Sequence, residues 1–215
     1  GIDTKSFLDS NDYSNTSQQL LGEYLAQAYR GRWAVTAGVQ GSASQMTSPL
    51  FSGDHGSANL GGLLQVDYNR TRWDAHVGLR YEAFAIDELD VFKRPVLRAG
   101  AHRAFGRATH LRASWAQGLR YPSIAELYSA SAAGVLQVFP RPGLKPEQGW
   151  TAELALRQAF KGRGGLKGYA DLALFRTEFR DMLEFSFGQW ANVPNAGLAN
   201  FGFTSLNVGP TRIQG

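Results

Sequence analysis

The 215 residues are 43% hydrophobic, enough for a core, yet no run of about 18 apolar residues occurs, which excludes a transmembrane helix and leaves a β-structured membrane wall open. Cysteine is absent, so disulfide frameworks, thiolate nucleophiles and cysteine-ligated metals are excluded. The net charge of +4 is spread over short turns in pairs, not gathered in one block, and no nucleic-acid partner is expected.

Gly1 to Thr16 are polar and aperiodic, with neither a basic stretch nor an apolar one of the signal-peptide kind. The protein is therefore either not exported or starts elsewhere. Leu20 to Tyr29 reads as an imperfect strand, and after Arg30-Gly31-Arg32 the alternation is clear: Trp33, Val35, Ala37 and Val39 against Ala34, Thr36, Gly38 and Gln40. Ser42 to Gly56 reads as a long loop. Leu60 to Asn69 alternates again, and Asn69-Arg70-Thr71 forms a turn. The best pattern follows, with Trp73, Ala75, Val77, Leu79 and Tyr81 on one face and Asp74, His76, Gly78, Arg80 and Glu82 on the other. Aromatics at both ends of an apolar face suit a strand whose ends meet two membrane interfaces, although a soluble sandwich also accommodates one charged face.

Residues 86–94 form a charged loop, and Pro95 permits a strand only from that point. Val96 to Ala104 is a weak strand, the turn 105–108 is tight, and Leu111 to Gln117 alternates. About thirty residues follow without a convincing strand. Trp150 to Phe160 and Lys167 to Thr177 are strands flanking Lys161 to Gly165; the apolar face of the second is undecided. Phe179 to Ala199 reads as a loop, Phe201 to Asn207 as a short strand, and 208–210 as a turn before a strand opening at Thr211.

Connection lengths alternate. Short turns fall at 30–32, 69–71, 105–108, 161–166 and 208–210, and longer loops at about 43–57, 86–94, 118–149 and 179–200. With antiparallel neighbours, the short turns share one rim and the long loops the other, as in outer-membrane barrels. Trp33, Tyr68 and Trp73 then sit at one height, as an aromatic girdle. The Lys and Arg residues of these turns read as solvated.

Four segments carry a resemblance: Gly118-Leu-Arg-Tyr-Pro-Ser123 with Glu126-Leu-Tyr128; Leu144-Lys-Pro-Glu147; Phe175 to Leu183; and Asn207 to Gly215. In this order and spacing they resemble the barrel of TonB-dependent outer-membrane receptors, clearly over Leu111 to Gly215 and by strand pattern alone before that. The resemblance implies an all-β, antiparallel, up-and-down transmembrane β-barrel segment. Nine complete strands and a tenth just begun are counted here, against the roughly 22 of a full plugged barrel. Residues 1–215 are read as a partial barrel domain without plug or TonB box, hence a fragment. Glu126 is implied to be a turn anchor and Glu147 a strand start.

No catalytic constellation is present, and an enzyme is not expected: His110 with Ser114 is a chance-level pair. His55, His76, His102 and His110 lack metal-ligand spacing, and no cofactor is read. The resemblance implies ligand contacts from the outer loops, where Tyr121, Tyr128, Phe139, Arg141, Phe187 and Trp190 offer stacking area and positive charge for a small ligand such as a ferric chelate. Packing of loop on loop explains the same residues equally well. Arg80, Glu82, Arg112, Glu153 and Arg157 are expected to form a charge network on the lumen face. The function implied is active uptake, with a ferric siderophore as the default ligand. The implied partners are outer-membrane lipid and the TonB complex, reached through a plug, and the implied location is the Gram-negative outer membrane. A passive porin and a soluble β-rich binding module stay open as alternatives.

Overall fold

A computed structural model describes residues 2–3, 14–51, 53–87, 89, 91–133, 136–190 and 200–215. The strands are β1 (Ile2–Asp3), β2 (Ser14–Arg30), β3 (Trp33–Ser48), β4 (Gly53–Arg70), β5 (Trp73–Ile86), β6 (Phe92–Phe105), β7 (Thr109–Arg120), β8 (Ser131–Ala133), β9 (Leu136–Phe139), β10 (Glu147–Lys161), β11 (Lys167–Arg180), β12 (Met182–Gln189), β13 (Phe201–Val208) and β14 (Thr211–Gln214). One short helix, α1 (Ile124–Tyr128), lies between β7 and β8. Ten strands make one sheet in the order β1-β2-β3-β4-β5-β6-β7-β10-β11-β14, and β12-β13-β9-β8 make a second. Every pairing in the large sheet is antiparallel.

The large sheet is inside out relative to a soluble one. Along β5 the apolar Trp73, Val77, Leu79 and Tyr81 are exposed, whereas Glu82 on the opposite face is 9% exposed. Cross-strand register extends that apolar face: Val77 opposes Val66 and Ala99, and Leu79 opposes Leu64 and Leu97. On β11, pairing of Leu172 and Leu174 with Leu156 and Leu154 assigns the face that the alternation alone left open. Such a face is stable in a solvent of hydrocarbon, not in water.

Four tight connections, at 31–32, 71–72, 106–108 and 162–166, share one rim. Gly31 and Gly106 adopt φ of 62° and 78°, conformations that favour glycine. Trp33 meets Tyr68 edge-on at 4.7 Å, and Tyr68 meets Trp73 at 4.8 Å, so the expected girdle is a continuous run of rings above these turns.

The opposite rim departs from the sequence expectations in four places. Residues 43–57 are not a loop: β3 and β4 continue to Ser48 and Gly53 and turn through the short 3-10 segment Pro49–Phe51. Serine and glutamine on both faces erase the hydrophobic period there, but the ladder persists and Ser44 Oγ lies 2.6 Å from Ser57 Oγ. Pro95 lies inside β6, opposite Tyr81. Pairing with β7 begins only at Arg98, and the Leu97 N–H, on the same edge as the proline nitrogen, donates to the Gln117 side chain at 3.0 Å. The missing N–H of Pro95 therefore costs no ladder bond. Residues 179–200 contain β12, set off from β11 by Asp181 at φ 53°. Finally, β14 pairs with β11, not β13. The turn 208–210 accordingly belongs to this rim, and the strand at Phe201 to the second sheet. The buried cluster of Ile86, Ile124, Leu127, Leu144 and Leu183 also sits here, with Met46, Phe51 and Phe84 against it.

Candidate functional site

The decorated rim is held by a polar bracket. Ser123, in extended conformation, caps α1: its Oγ accepts from Glu126 N at 3.2 Å, and the Glu126 carboxylate accepts from Ser123 N at 2.8 Å. The same carboxylate takes both ends of the Arg120 guanidinium at 2.8 and 3.0 Å. Arg120 Nε lies 3.9 Å from Glu147, whose carboxylate accepts from Leu183 N at 2.9 Å. Asn207 completes the bracket, accepting from Lys145 N at 2.8 Å and donating to the carbonyls of Lys145 and Asp181 at 2.9 and 2.8 Å. The four sequence segments singled out above thus meet in one place. Beneath the bracket, Pro122, Pro146 and Leu127 are buried, the last at 1% exposure. Burial alone would raise the Glu126 carboxyl, but the Arg120 and Ser123 donors outweigh it and hold the group below its ordinary 4.5.

The six expected ligand residues divide into two groups. Tyr121 stacks on Phe84 with centroids 4.2 Å apart, and burial first, with the Glu82 charge second, pushes its hydroxyl up to about 12. Tyr128 stacks on His55 at 3.8 Å and bonds Asp87; burial and that bond push it likewise up to about 12. Asp87 is itself held low: donors from Gly56, His55 and Tyr128 overcome the opposing effect of burial. Both tyrosines pack against the wall. The other four lie on or beside the second sheet. The Phe139 carbonyl accepts from Thr204 Oγ1 at 2.7 Å, and Trp190 Nε1 donates to the Gly202 carbonyl at 2.9 Å. Phe187 is 53% exposed, and the Arg141 side chain is exposed.

Sequence reasoning missed the aromatic face that surrounds Phe187. Phe185 and Phe187 both contact Phe203, with centroids 5.2 Å apart in each case, and Phe201 pairs with Gln189 on the same side of the hairpin. The signal was the alternation Phe185, Phe187 and Phe201, Phe203 on either side of residues 191–199.

The lumen face carries the expected network. Arg80 pairs with Glu82, Arg112 with Glu153 at 2.6 Å, and Arg157 grips Asp171 with two bonds of 2.8 Å. An unforeseen chain joins Asp74 to His102 at 2.9 Å and His102 to His110 at 3.1 Å. The two histidines lie on either side of the turn at 106–108, which brings both to one face.

An apolar outer face, a charged inner face, an aromatic girdle over tight turns and a braced opposite rim together define a wall of a transmembrane β-barrel. A family profile described as TonB dependent receptor-like, beta-barrel, matches residues 2–215, and the chain belongs to that family. Its members are transporters, not enzymes, and their barrels lie in the Gram-negative outer membrane. Among solved structures, the fold is similar to a double mutant of the Serratia marcescens hemophore receptor HasR bound to its hemophore and heme (TM-score 0.73, 13% identity, 94% of this chain and 39% of that one). It is similar also to the Pseudomonas aeruginosa siderophore receptor PirA (0.72, 13%, 94% and 38%) and to the copper transporter OprC (0.73, 16%, 94% and 34%). The chain therefore spans about two fifths or less of each of these proteins. A search of curated proteins finds no match.

Proposed function

We propose that residues 1–215 form the ligand-side wall of an active importer that takes up a ferric siderophore, with a plug domain outside these residues relaying energy from TonB. The observation carrying this reading is the rim itself: the bracket fixes the β12–β13 hairpin so that Phe185, Phe187 and Phe201 stand 58%, 53% and 37% exposed, and Arg141, after β9 on the same rim, is exposed as well. Exposed rings and a cation on one rim suit a flat, anionic, partly aromatic chelate. The similar structures named above are a receptor in complex with its hemophore and heme, a siderophore receptor and a copper transporter, which supports a small metal complex as the ligand.

The test is titration of the purified full-length receptor with ferric catecholates, ferric hydroxamates, heme and copper. Saturable binding of a ferric siderophore, weakened a few-fold by Phe187→Ala or Arg141→Ala, is expected. Saturation by heme or copper with no response to ferric chelates overturns the ligand. Uptake that persists after the proton-motive force is dissipated would place the protein among passive porins instead.

A further inference from the structure

We infer that the lipid-facing surface of β5, β6 and β7 holds a specific glycerophospholipid, its phosphate bound by Arg70, Arg72 and Arg103 and one acyl chain lying along β6. A groove of about 1040 Å³ opens on this surface beside the tight turns, and these three arginines, Trp73 and Phe105 line it. Ala101 and Ala113, which oppose one another across β6 and β7, line it too, and Ala75 opposes Ala101 from β5. These small side chains, between Trp73 on one side and Leu111 on the other, form the trough in which a hydrocarbon chain would lie.

Charge selects the headgroup. Arg103 opposes Trp73 in the ladder, so it emerges on the apolar face at girdle height, and its guanidinium sits 4.8 Å from the Phe105 ring centre. A cation there turns towards the interface and needs an anion. None is supplied by the protein: among the described residues, Arg70, Arg72 and Arg103 form no ion pair. The contrast is on the same face near the other rim, where Arg176 and Arg212 share Glu178. Tight turns face the periplasm in outer-membrane barrels, so the occupant comes from the phospholipid leaflet on that side. The turn arginines are thus lipid ligands, not merely solvated groups.

Native mass spectrometry of the full-length receptor, extracted in mild detergent and titrated with phosphatidylglycerol, phosphatidylcholine or inorganic phosphate, tests this. One phosphatidylglycerol should be retained per protein, in preference to phosphatidylcholine. Its affinity should fall about 5-fold for each arginine removed in R70A, R72A and R103A, and R103K should keep most of it. Ala101→Phe, which fills the trough and leaves the charges, should also release the lipid. Equal lipid retention by the triple arginine variant, or competition by inorganic phosphate alone at equal concentration, overturns the inference; circular dichroism of each variant certifies that it is folded.

Discussion

The two rims of this wall obey different rules. At the tight-turn rim, order comes from repetition: each hairpin closes in two to five residues, and rings of Trp33, Tyr68 and Trp73 contact one another along the edge. At the opposite rim, order comes from particular residues, since Arg120, Glu126, Glu147 and Asn207 each hold a segment that no period specifies. One rim is stabilised by its solvent, the bilayer. The other carries its own buried core.

The largest effect that would break this division is expected from Leu127→Ala, because Leu127 is 1% exposed. It should cost about 2–5 kcal/mol of local stability, read as faster hydrogen exchange across 120–147 with no change at the girdle. Val77→Arg attacks the wall instead, midway between Trp73 and Tyr81 on the apolar face. A cost of about 2–4 kcal/mol is expected in lipid by denaturant titration, with the cap's exchange rates unaltered.

Glu126→Ala removes the carboxylate half of the capping box and the Arg120 partner together. Arg120 is half exposed, so water screens the pair, and a loss of about 1–2 kcal/mol confined to α1 and β12 is expected by the same exchange measurement. Acid should reproduce part of it. Glu126 and Asp87 both have carboxyls held below their ordinary 4.5 and 3.8. Each therefore contributes stability that is complete above those ordinary values and disappears as pH falls through the lowered ones. Exchange in α1 should quicken below about pH 4 and stay level from 5 to 8; Glu126→Gln should flatten much of that response. The smallest effect is expected from Trp33→Ala, a side chain already 51% exposed: loss of its ring contact with Tyr68 should cost about 0.5–1.5 kcal/mol and leave the bracket untouched.

The same division decided what could be read from the sequence. The walls of β3, β4, β5, β7 and β10 were legible because one face had to be apolar, and the tight turns because Gly31 and Gly106 mark them. The extensions past Ser42 and before Asn59 were not, since they project beyond the hydrocarbon and need no apolar face. β12 was hidden because Asp181, without being glycine, takes the left-handed conformation that separates it from β11. The motifs were visible as isolated strings. That Arg120, Glu147, Leu183 and Asn207 come together follows only from the pairing of β7 with β10, β10 with β11 and β12 with β13, which brings distant strings to one height. The packing of Tyr121 and Tyr128 was similarly unreadable, because Phe84 and His55, their stacking partners, lie 37 and 73 positions upstream.

The route of the chain between β11 and β14 has a consequence of its own. The wall is left after Arg180 and resumed at Thr211, and Phe179 pairs directly with Thr211. The two ends of the detour are therefore neighbours in the ladder, so the stagger of the wall is independent of how many residues lie between them. What lies between the bracket contacts at Leu183 and Asn207 amounts to an exchangeable cassette. That segment can lengthen, shorten or be replaced while the wall it is mounted on keeps its register.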